Sequence, residues 1–379
     1  MPIRSPRSIA VIGAGVAGAC VLRALARTSH ALGFADLRLS LFEAGPGPAT
    51  AASAVPVAVV HPMTSRDHNL ASQFFLQGVT TLARWVDDLQ GCQQGWADMS
   101  GVDHRPVQTE QTERQPGGWV LPIGLIHACL CEARTSMADR LQMHFNSAIL
   151  PADLSALLQT HDAVVICAAA DGLLPEAGLA LQPLSGQVSW VSVTKGQDAI
   201  RSQIPRVVSG DGFLTPLISG RVQFGATFHR SGAPSVVSLA DHQRNITQLQ
   251  RLAPQAAQRL APQPERCGGW AGTRYATRDR LPHIGQPVCP TVYKGRTDRW
   301  QLPPSVSQLR QLPRHDGMYV LLGLGARGLS TAALGAEAIA AKVLGIPPIL
   351  APRICRAVDP GRFVLREHAR VSNDPKGVD

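Results

Sequence analysis

Two glycine-rich loops, one near each end of the chain, carry the first chemical signal. Gly13-Ala14-Gly15-Val16-Ala17-Gly18 follows directly on the apolar run Ser8-Ile9-Ala10-Val11-Ile12, and a helical pattern through Val21, Leu22 and Leu25 comes next. In a strand–loop–helix unit of this kind Gly13 makes a tight turn and Gly15 leaves room for a pyrophosphate. Gly18 lets helix and strand pack closely, while the helix N-terminus offers amide donors and the positive end of its dipole. A second strand, Leu37 to Phe42, ends in Glu43. Its carboxylate suits the hydroxyls of an adenosine ribose and repels the extra phosphate of NADP. The Gly18-to-Glu43 spacing is slightly long, and His30 to Ala35 reads as the loop extension that absorbs it.

The second loop, Gly323-Leu324-Gly325-Ala326-Arg327-Gly328-Leu329-Ser330, lies between a strand at Met318–Leu322 and an alanine- and leucine-rich helix from about Thr331 to Leu344. Such a loop places a helix N-terminus against a flavin ring, where the dipole stabilises the negative charge that reduction puts on the N1–O2 edge. A nicotinamide enzyme has no need of this late element. A third strand, Ala163 to Cys167, runs into Ala168-Ala169-Ala170-Asp171-Gly172, small residues that let backbone approach a cofactor. The order of the three segments predicts FAD rather than NAD.

The elements that position these loops belong to a chain of 379 residues, long enough for two domains. Hydrophobic residues make up 45% and charged residues 17%, which excludes a disordered protein. Residues 1–26 mimic a signal peptide, but their glycines and Arg23 fit strand–turn–helix better. No uninterrupted apolar run reaches the roughly 20 residues of a membrane span, so no membrane partner and a cytoplasmic location are expected. The eight cysteines are scattered without a CxxC pair, which argues against a zinc site and predicts no metal. A formal charge of +9 permits a polyanionic partner such as RNA. Only four of the 36 basic residues are lysine, so a general arginine bias accounts for the charge almost as well.

Further segments extend the pattern: Phe42-Glu43-Ala44-Gly45, Ala51-Ala52-Ser53, His61-Pro62, Phe74-Phe75, Gly117-Gly118-Trp119-Val120-Leu121-Pro122 and Leu184-Ser185-Gly186-Gln187-Val188. Phe224-Gly225-Ala226-Thr227-Phe228, Asp241-His242-Gln243-Arg244-Asn245 and Gly272-Thr273-Arg274-Tyr275-Ala276-Thr277-Arg278-Asp279 continue it. With these motifs the chain resembles the D-amino-acid/glycine oxidase (DAO) family of FAD-dependent oxidoreductases. Within that family it is most similar to oxidase domains that modify the wobble uridine of tRNA. Ala54-Val55, in place of Gly-Asn, and Ser185, in place of a basic residue, depart from that subgroup. Its methyltransferase half is not found here, so any modification is expected to stop at oxidation.

The resemblance implies an α/β fold: a Rossmann-like FAD-binding domain of glutathione-reductase type and a substrate domain built on an antiparallel sheet. The first is expected from 1–85, 140–182 and 316–379, the second from 86–139 and 183–315. Antiparallel strands are expected at Gly186–Val191 and Arg221–Phe224. A helix near Leu239–Leu252 is read as a plain core stripe through Ile246, Leu249 and Leu252. The expected cofactor contacts are Gly13, Ala14, Gly15, Val16, Ala17, Gly18, Glu43, Ala52, Ser53, Ala168 and Ala169, together with Gly323, Gly325, Ala326, Arg327, Gly328 and Leu329.

The implied reaction is hydride transfer from the CH next to an amine to flavin N5, hydrolysis of the imine, and reoxidation by molecular oxygen. It needs orientation more than a dedicated base. The carboxylate of the substrate needs a guanidinium, for which Arg274 is the first candidate and Arg327 the second. His61 and Trp119 are candidates for the pocket lining. The leading substrate is carboxymethylaminomethyluridine in tRNA, losing its carboxymethyl group as glyoxylate. A small-molecule glycine, sarcosine or D-amino-acid oxidase is the alternative, and a non-catalytic RNA-binding module on the same scaffold is a third reading.

Overall fold

The computed structural model describes residues 6–90, 94–106, 111–169, 173, 179–193, 202–230, 236–289 and 308–372, with side chains to 367. The sequence motif segment at 170–172 lies outside the described residues.

The first sheet contains β1 (Ser8–Ile12), β2 (Arg38–Phe42), β8 (Leu141–His144), β9 (Ala163–Ile166), β15 (His283–Gly285) and β16 (Met318–Leu322), in the order β15-β16-β9-β1-β2-β8. Its central strands are near-continuous apolar runs because helices cover both faces, as parallel sheets require. Ile9 to Val11 and Val164 to Ile166 are fully buried. β1 pairs in parallel with β2 and β9, and only β15 runs antiparallel, on β16.

Helix α1 (Val16–Ala31) follows β1 and packs on α3 (Pro122–Met137) and on α7 (Gly328–Val343), which also meets α2 (Leu70–Gln90). Both partners need small side chains at these crossings. Gly78 of α2 is one case, since a Cβ there would lie 2.9 Å from the Ser330 carbonyl oxygen of α7. α3 and β15 lie in ranges expected for the substrate domain, and both put buried side chains (Leu125, Ile126, Ile284) into this same core.

The second sheet is β14-β10-β13-β12-β11-β5-β6. Its members are β5 (Val102–His104), β6 (Glu113–Gln115), β10 (Gln182–Ser192), β11 (Val207–Gly210), β12 (Gly212–Leu214), β13 (Arg221–Gly225) and β14 (Gly268–Ala276). β10 pairs antiparallel with β13 on one side, as expected, and with β14 on the other in a register from Gln182–Ala276 to Trp190–Gly268. A small third sheet joins β3 (Ala58–Val60), β4 (Ala97–Asp98) and β7 (Gly118–Val120). The remaining described helices are α4 (Pro151–Thr160), α5 (Leu239–Leu252), α6 (Pro254–Leu260), α8 (Pro352–Val358) and α9 (Arg362–Ser372).

The plain core-stripe reading of α5 is corrected by its other buried face. Ile246, Leu249 and Leu252 pack into the apolar core, but Asp241, His242 and Asn245 are buried as well. His242 Nδ1 is 2.8 Å from Ser189 Oγ, and Asn245 Nδ2 donates to Ser189 Oγ at 2.9 Å and to the Gln187 carbonyl at 3.1 Å. Buried polar groups favour the register in which they pair, so this network, in which Asn245 Oδ1 is left without a hydrogen-bond partner, ties α5 to β10. Among the described residues no helix is long and apolar enough to cross a membrane.

Candidate active site

The N-terminal loop is held by its neighbours in sequence space far away. Gly13 N–H donates to the Phe42 carbonyl at 2.7 Å, which closes the turn on the end of β2. Its φ of +101° suits glycine, and a Cβ there would sit 3.0 Å from Ala168 Cβ. At Gly18 a Cβ would strike the Gly13 carbonyl oxygen. Ala14 and Ala17 are buried beneath the loop. Ala169 continues the half-buried segment after β9.

Glu43 reaches into the loop: its Oε2 accepts from Ala14 N–H at 2.6 Å, and its Oε1 accepts from Gly45 N–H at 2.9 Å and Thr50 Oγ at 3.3 Å. Ser53, on the 3-10 turn Ala52–Ala54, accepts from Val16 N–H at 3.0 Å. A Cβ on Gly15 would come within 3.1 Å of that hydroxyl. Residues Glu43, Ser53 and the glycines are thus one assembly. The first turn of α1 holds no acidic residue of its own, so the groups that meet its positive end come from elsewhere: Glu43 on the Ala14 amide and Ser53 on the Val16 amide.

The late loop lies against the end of β14. Leu324 bridges Ala276, and Gly325 (φ +58°) would bring a Cβ within 3.5 Å of Ala276 Cβ. Gly323 (φ +72°) would bring one within 2.8 Å of Thr277 Cγ2. The 3-10 turn Gly325–Arg327, with Ala326 exposed at its tip, feeds α7, which begins at Gly328 and buries Leu329. The helix starts three residues earlier than its alanine-rich pattern predicts. Its first turn also lacks an acid, and the Thr331 hydroxyl is buried with no hydrogen-bond partner.

β14 carries Arg274 opposite Leu184 of β10, half-buried. Its guanidinium passes over Gly186, where a Cβ would lie 3.0 Å from Nη2, and stands 4.9 Å from the Phe228 ring centroid. Arg327 is likewise half-buried, 5.3 Å from the Phe75 ring of α2. Neither arginine forms an ion pair among the described residues, and the Nε of each is buried without a hydrogen-bond partner. Burial lowers the pKa of both, and Arg280 adds to this at Arg327.

His61 follows β3. Burial, reinforced by the charge of Arg327, pushes its pKa down to about 4, so the ring is neutral at ordinary pH. His61 Nδ1 lies 3.1 Å from the Pro62 carbonyl oxygen. Trp119 is half-buried on β7, opposite Val59 and Asp98, on the small sheet that leads into His61. Among the described residues no ring contact joins Trp119 to either arginine. The structure therefore brings Arg327, His61 and Phe75 together and sets Arg274 of β14 beside Phe228, in the segment that follows β13.

Sequence reading did not anticipate that Phe75 and Phe228 stand beside the two arginines or that the Thr331 hydroxyl is buried without a hydrogen-bond partner. It also missed Arg362, which holds the segment after β14. Arg362 Nε and Nη2 grip the two Asp279 oxygens at 2.9 Å each, and Nη1 lies 3.1 Å from His283 Nδ1. Burial alone would raise the Asp279 carboxyl, yet the hydrogen bonds and charge of Arg362 hold it at about 2. The acid of the motif at 272–279 was visible; its partner 83 residues later was not.

The family model described as DAO, FAD dependent oxidoreductase, matches residues 8–342. A tRNA 5-methylaminomethyl-2-thiouridine biosynthesis bifunctional protein MnmC from Burkholderia thailandensis is 30% identical, covering 95% of this chain and 60% of the relative. The homologue of the same name from Burkholderia lata is 31% identical, covering 97% and 61%. The chain thus spans about 60% of the length of these curated relatives. Among solved structures, glycine oxidase from Geobacillus kaustophilus superposes with a TM-score of 0.65 at 16% identity, covering 94% of this chain and 98% of that one. L-proline dehydrogenase from P. horikoshii gives 0.66 at 12%, with 96% and 99% covered.

Proposed function

Because the chain belongs to the DAO family of FAD-dependent oxidoreductases, we propose that it oxidises the CH–NH bond of an N-substituted glycine carried on RNA. The substrate in this reading is the carboxymethylaminomethyl group of a tRNA wobble uridine. The observation that carries it is the pair of half-buried guanidiniums, Arg274 and Arg327, with no carboxylate partner among the described residues, on segments that bridge each other. A buried cation without a counter-charge is unfavourable unless a ligand supplies one. A substrate carboxylate does so, and Arg274 offers it a bidentate fork.

The residues fit the cofactor. The glycine loop at 13–18, whose Gly13, Ala14 and Val16 amides are tied down by Phe42, Glu43 and Ser53, and the start of α1, which has no acid in its first turn, suit a pyrophosphate, and Glu43 would meet the adenosine ribose. Ser53 and Ala168 wall the cradle, which additional Cβ atoms on Gly15 and Gly13 would fill, and Ala52 and Ala169 adjoin them in the chain. Gly323, Gly325, Ala326, Gly328 and Leu329 set the start of α7 as a second positive helix end, for the ring portion. FAD, when bound, supplies the two-electron acceptor for a hydride.

The chain's own groups orient the substrate. Arg274 and Arg327 hold the carboxylate so that the adjacent CH is presented in one direction. His61, neutral at ordinary pH, adds no further positive charge to those of the two arginines, and the amine must lose its proton before oxidation. Loss of a hydride and a proton leaves an imine. Water adds to it, and the C–N bond breaks to give glyoxylate and an aminomethyl group, with molecular oxygen as the final acceptor. The net charge of +9 and the curated relatives named for tRNA thiouridine biosynthesis support an RNA-borne substrate in the cytoplasm over a free amino acid.

The test is mass analysis of wobble nucleosides after incubating FAD-loaded protein with carboxymethylaminomethyl-containing tRNA. Conversion to the aminomethyl nucleoside with one glyoxylate per event is expected. Turnover of free glycine or sarcosine well above turnover of tRNA would replace this reading with a small-molecule oxidase. Failure to take up flavin at all would leave only an RNA-binding scaffold.

A further inference from the structure

A cavity of about 300 Å³ opens in the second sheet, away from the arginine pair. It lies where α6 meets the start of β11. From β14, which carries Arg274, to β11 the sheet order counts four strand steps. At about 4.8 Å per step this is roughly 19 Å. Its floor is apolar and buried: Ile204, Val208, Leu214 and Leu260. Its rim is cationic. Arg105, Arg206 and Arg259 line it with a single carboxylate, Asp103.

The rim is partly fixed in place. Arg105 Nη1 donates to the Leu252 carbonyl at 2.8 Å, and Arg206 Nε donates to Asp103 Oδ1 at 3.3 Å. Arg114 also faces Asp103, at 3.7 Å, so that carboxylate is shared by two guanidiniums. Arg259 is exposed and forms no ion pair among the described residues. An apolar floor beneath a fixed cationic rim matches a ligand with a flat apolar body and an anionic edge, and the volume is at the small end of the range for ligand pockets.

Resting on the RNA reading above, we infer that this cavity takes one unstacked nucleotide of a single-stranded RNA loop. The base lies on the apolar floor, and its phosphate meets Arg259 and Arg206. Proteins read RNA mainly through such splayed bases and through phosphate contacts. A free amino acid spans no such distance, so a second foothold four strand steps, roughly 19 Å across the sheet, from the strand of Arg274 selects a polynucleotide over the isolated N-substituted glycine.

Fluorescence anisotropy with a labelled RNA hairpin, compared with a blunt duplex lacking a loop, tests this on the FAD-loaded protein. Arg259→Glu should weaken hairpin binding about tenfold and reduce the slope of log affinity against log salt by about 1. Ala256→Phe, which fills the cavity without changing charge, should weaken the hairpin by about tenfold and leave the salt slope unaltered. Arg353→Glu, on exposed α8, is the charge control and should stay within about twofold. Flavin absorbance and melting temperature establish that each variant is folded.

Hairpin affinity unmoved by Ala256→Phe, equal weakening by Arg353→Glu, or equal binding of the duplex each overturns the inference. So does a wild-type protein that binds no RNA. A wild-type protein that binds the hairpin but oxidises no tRNA refutes the proposed reaction while leaving the cavity assignment standing.

Discussion

Replacing Arg274 by methionine removes the charge and keeps much of the stem's bulk over Gly186. In the structure that guanidinium has a buried Nε without a partner and no carboxylate within ion-pair range among the described residues. Two charge-assisted hydrogen bonds to a substrate carboxylate are worth about 3–5 kcal/mol together. At about 1.4 kcal/mol per decade, kcat/KM should fall by roughly two to three and a half orders of magnitude. Most of the loss should appear in KM, because the carboxylate is held in ground state and transition state alike. The folded protein loses an unpaired, partly desolvated cation, so its melting temperature should stay within about 3 °C of wild type or rise. Steady-state kinetics on the tRNA substrate, flavin absorbance and a thermal melt are read on one preparation. An unchanged KM removes Arg274 from the site. A melting temperature lowered by much more than this range makes it a structural residue.

Gly15→Val should weaken FAD retention roughly ten- to hundredfold, read as the flavin-to-protein absorbance ratio, because the new side chain meets Ser53 Oγ and fills the cradle. Arg362→Met should lower stability by roughly 3 kcal/mol, seen as a drop in denaturation midpoint, since it leaves Asp279 with Arg366 as its only remaining ion-pair partner among the described residues. His61 has an ordinary pKa of 6.5 and a folded value of about 4, so between these pH values the unfolded chain binds more protons. Its contribution therefore disfavours folding increasingly as pH falls through that window, by up to about 3 kcal/mol. His61→Asn should flatten the acid limb of a stability–pH curve, and an unaltered limb would show that His61 titrates normally.

Local patterns made the cofactor half of the fold readable. β1, its glycine loop and α1 are contiguous, and β1 and β9 are apolar without alternation because both faces are covered. The ends of α5 were equally clear, with Ser238 accepting from Asp241 N–H as its N-cap. What stayed hidden depends on distant partners. β3, β4 and β7 have only two or three residues each, too few for any period to show. β15 reads as a loop between prolines until β16 pairs with it. His242 and Asn245 look like the solvated face of a helix, and only their bonds to Ser189 place them inside. For the site, the arginines were visible by type and motif. That one should rest on Phe228 and the other on Phe75 follows from a tertiary arrangement no spacing encodes.

The central position of β9, between β1 and β16, has a consequence for biosynthesis. β16 begins at Met318, some 152 residues after β9 ends at Ile166, so at roughly 5–20 residues per second the ribosome delivers it about 8–30 s later. Throughout that interval the edge of β9 that Met318 to Val320 will occupy stands open, with apolar Val164 to Ile166 along it. An open apolar edge is a template for wrong pairing. Nascent chains stalled before residue 318 should therefore be prime clients for chaperones that shield strand edges.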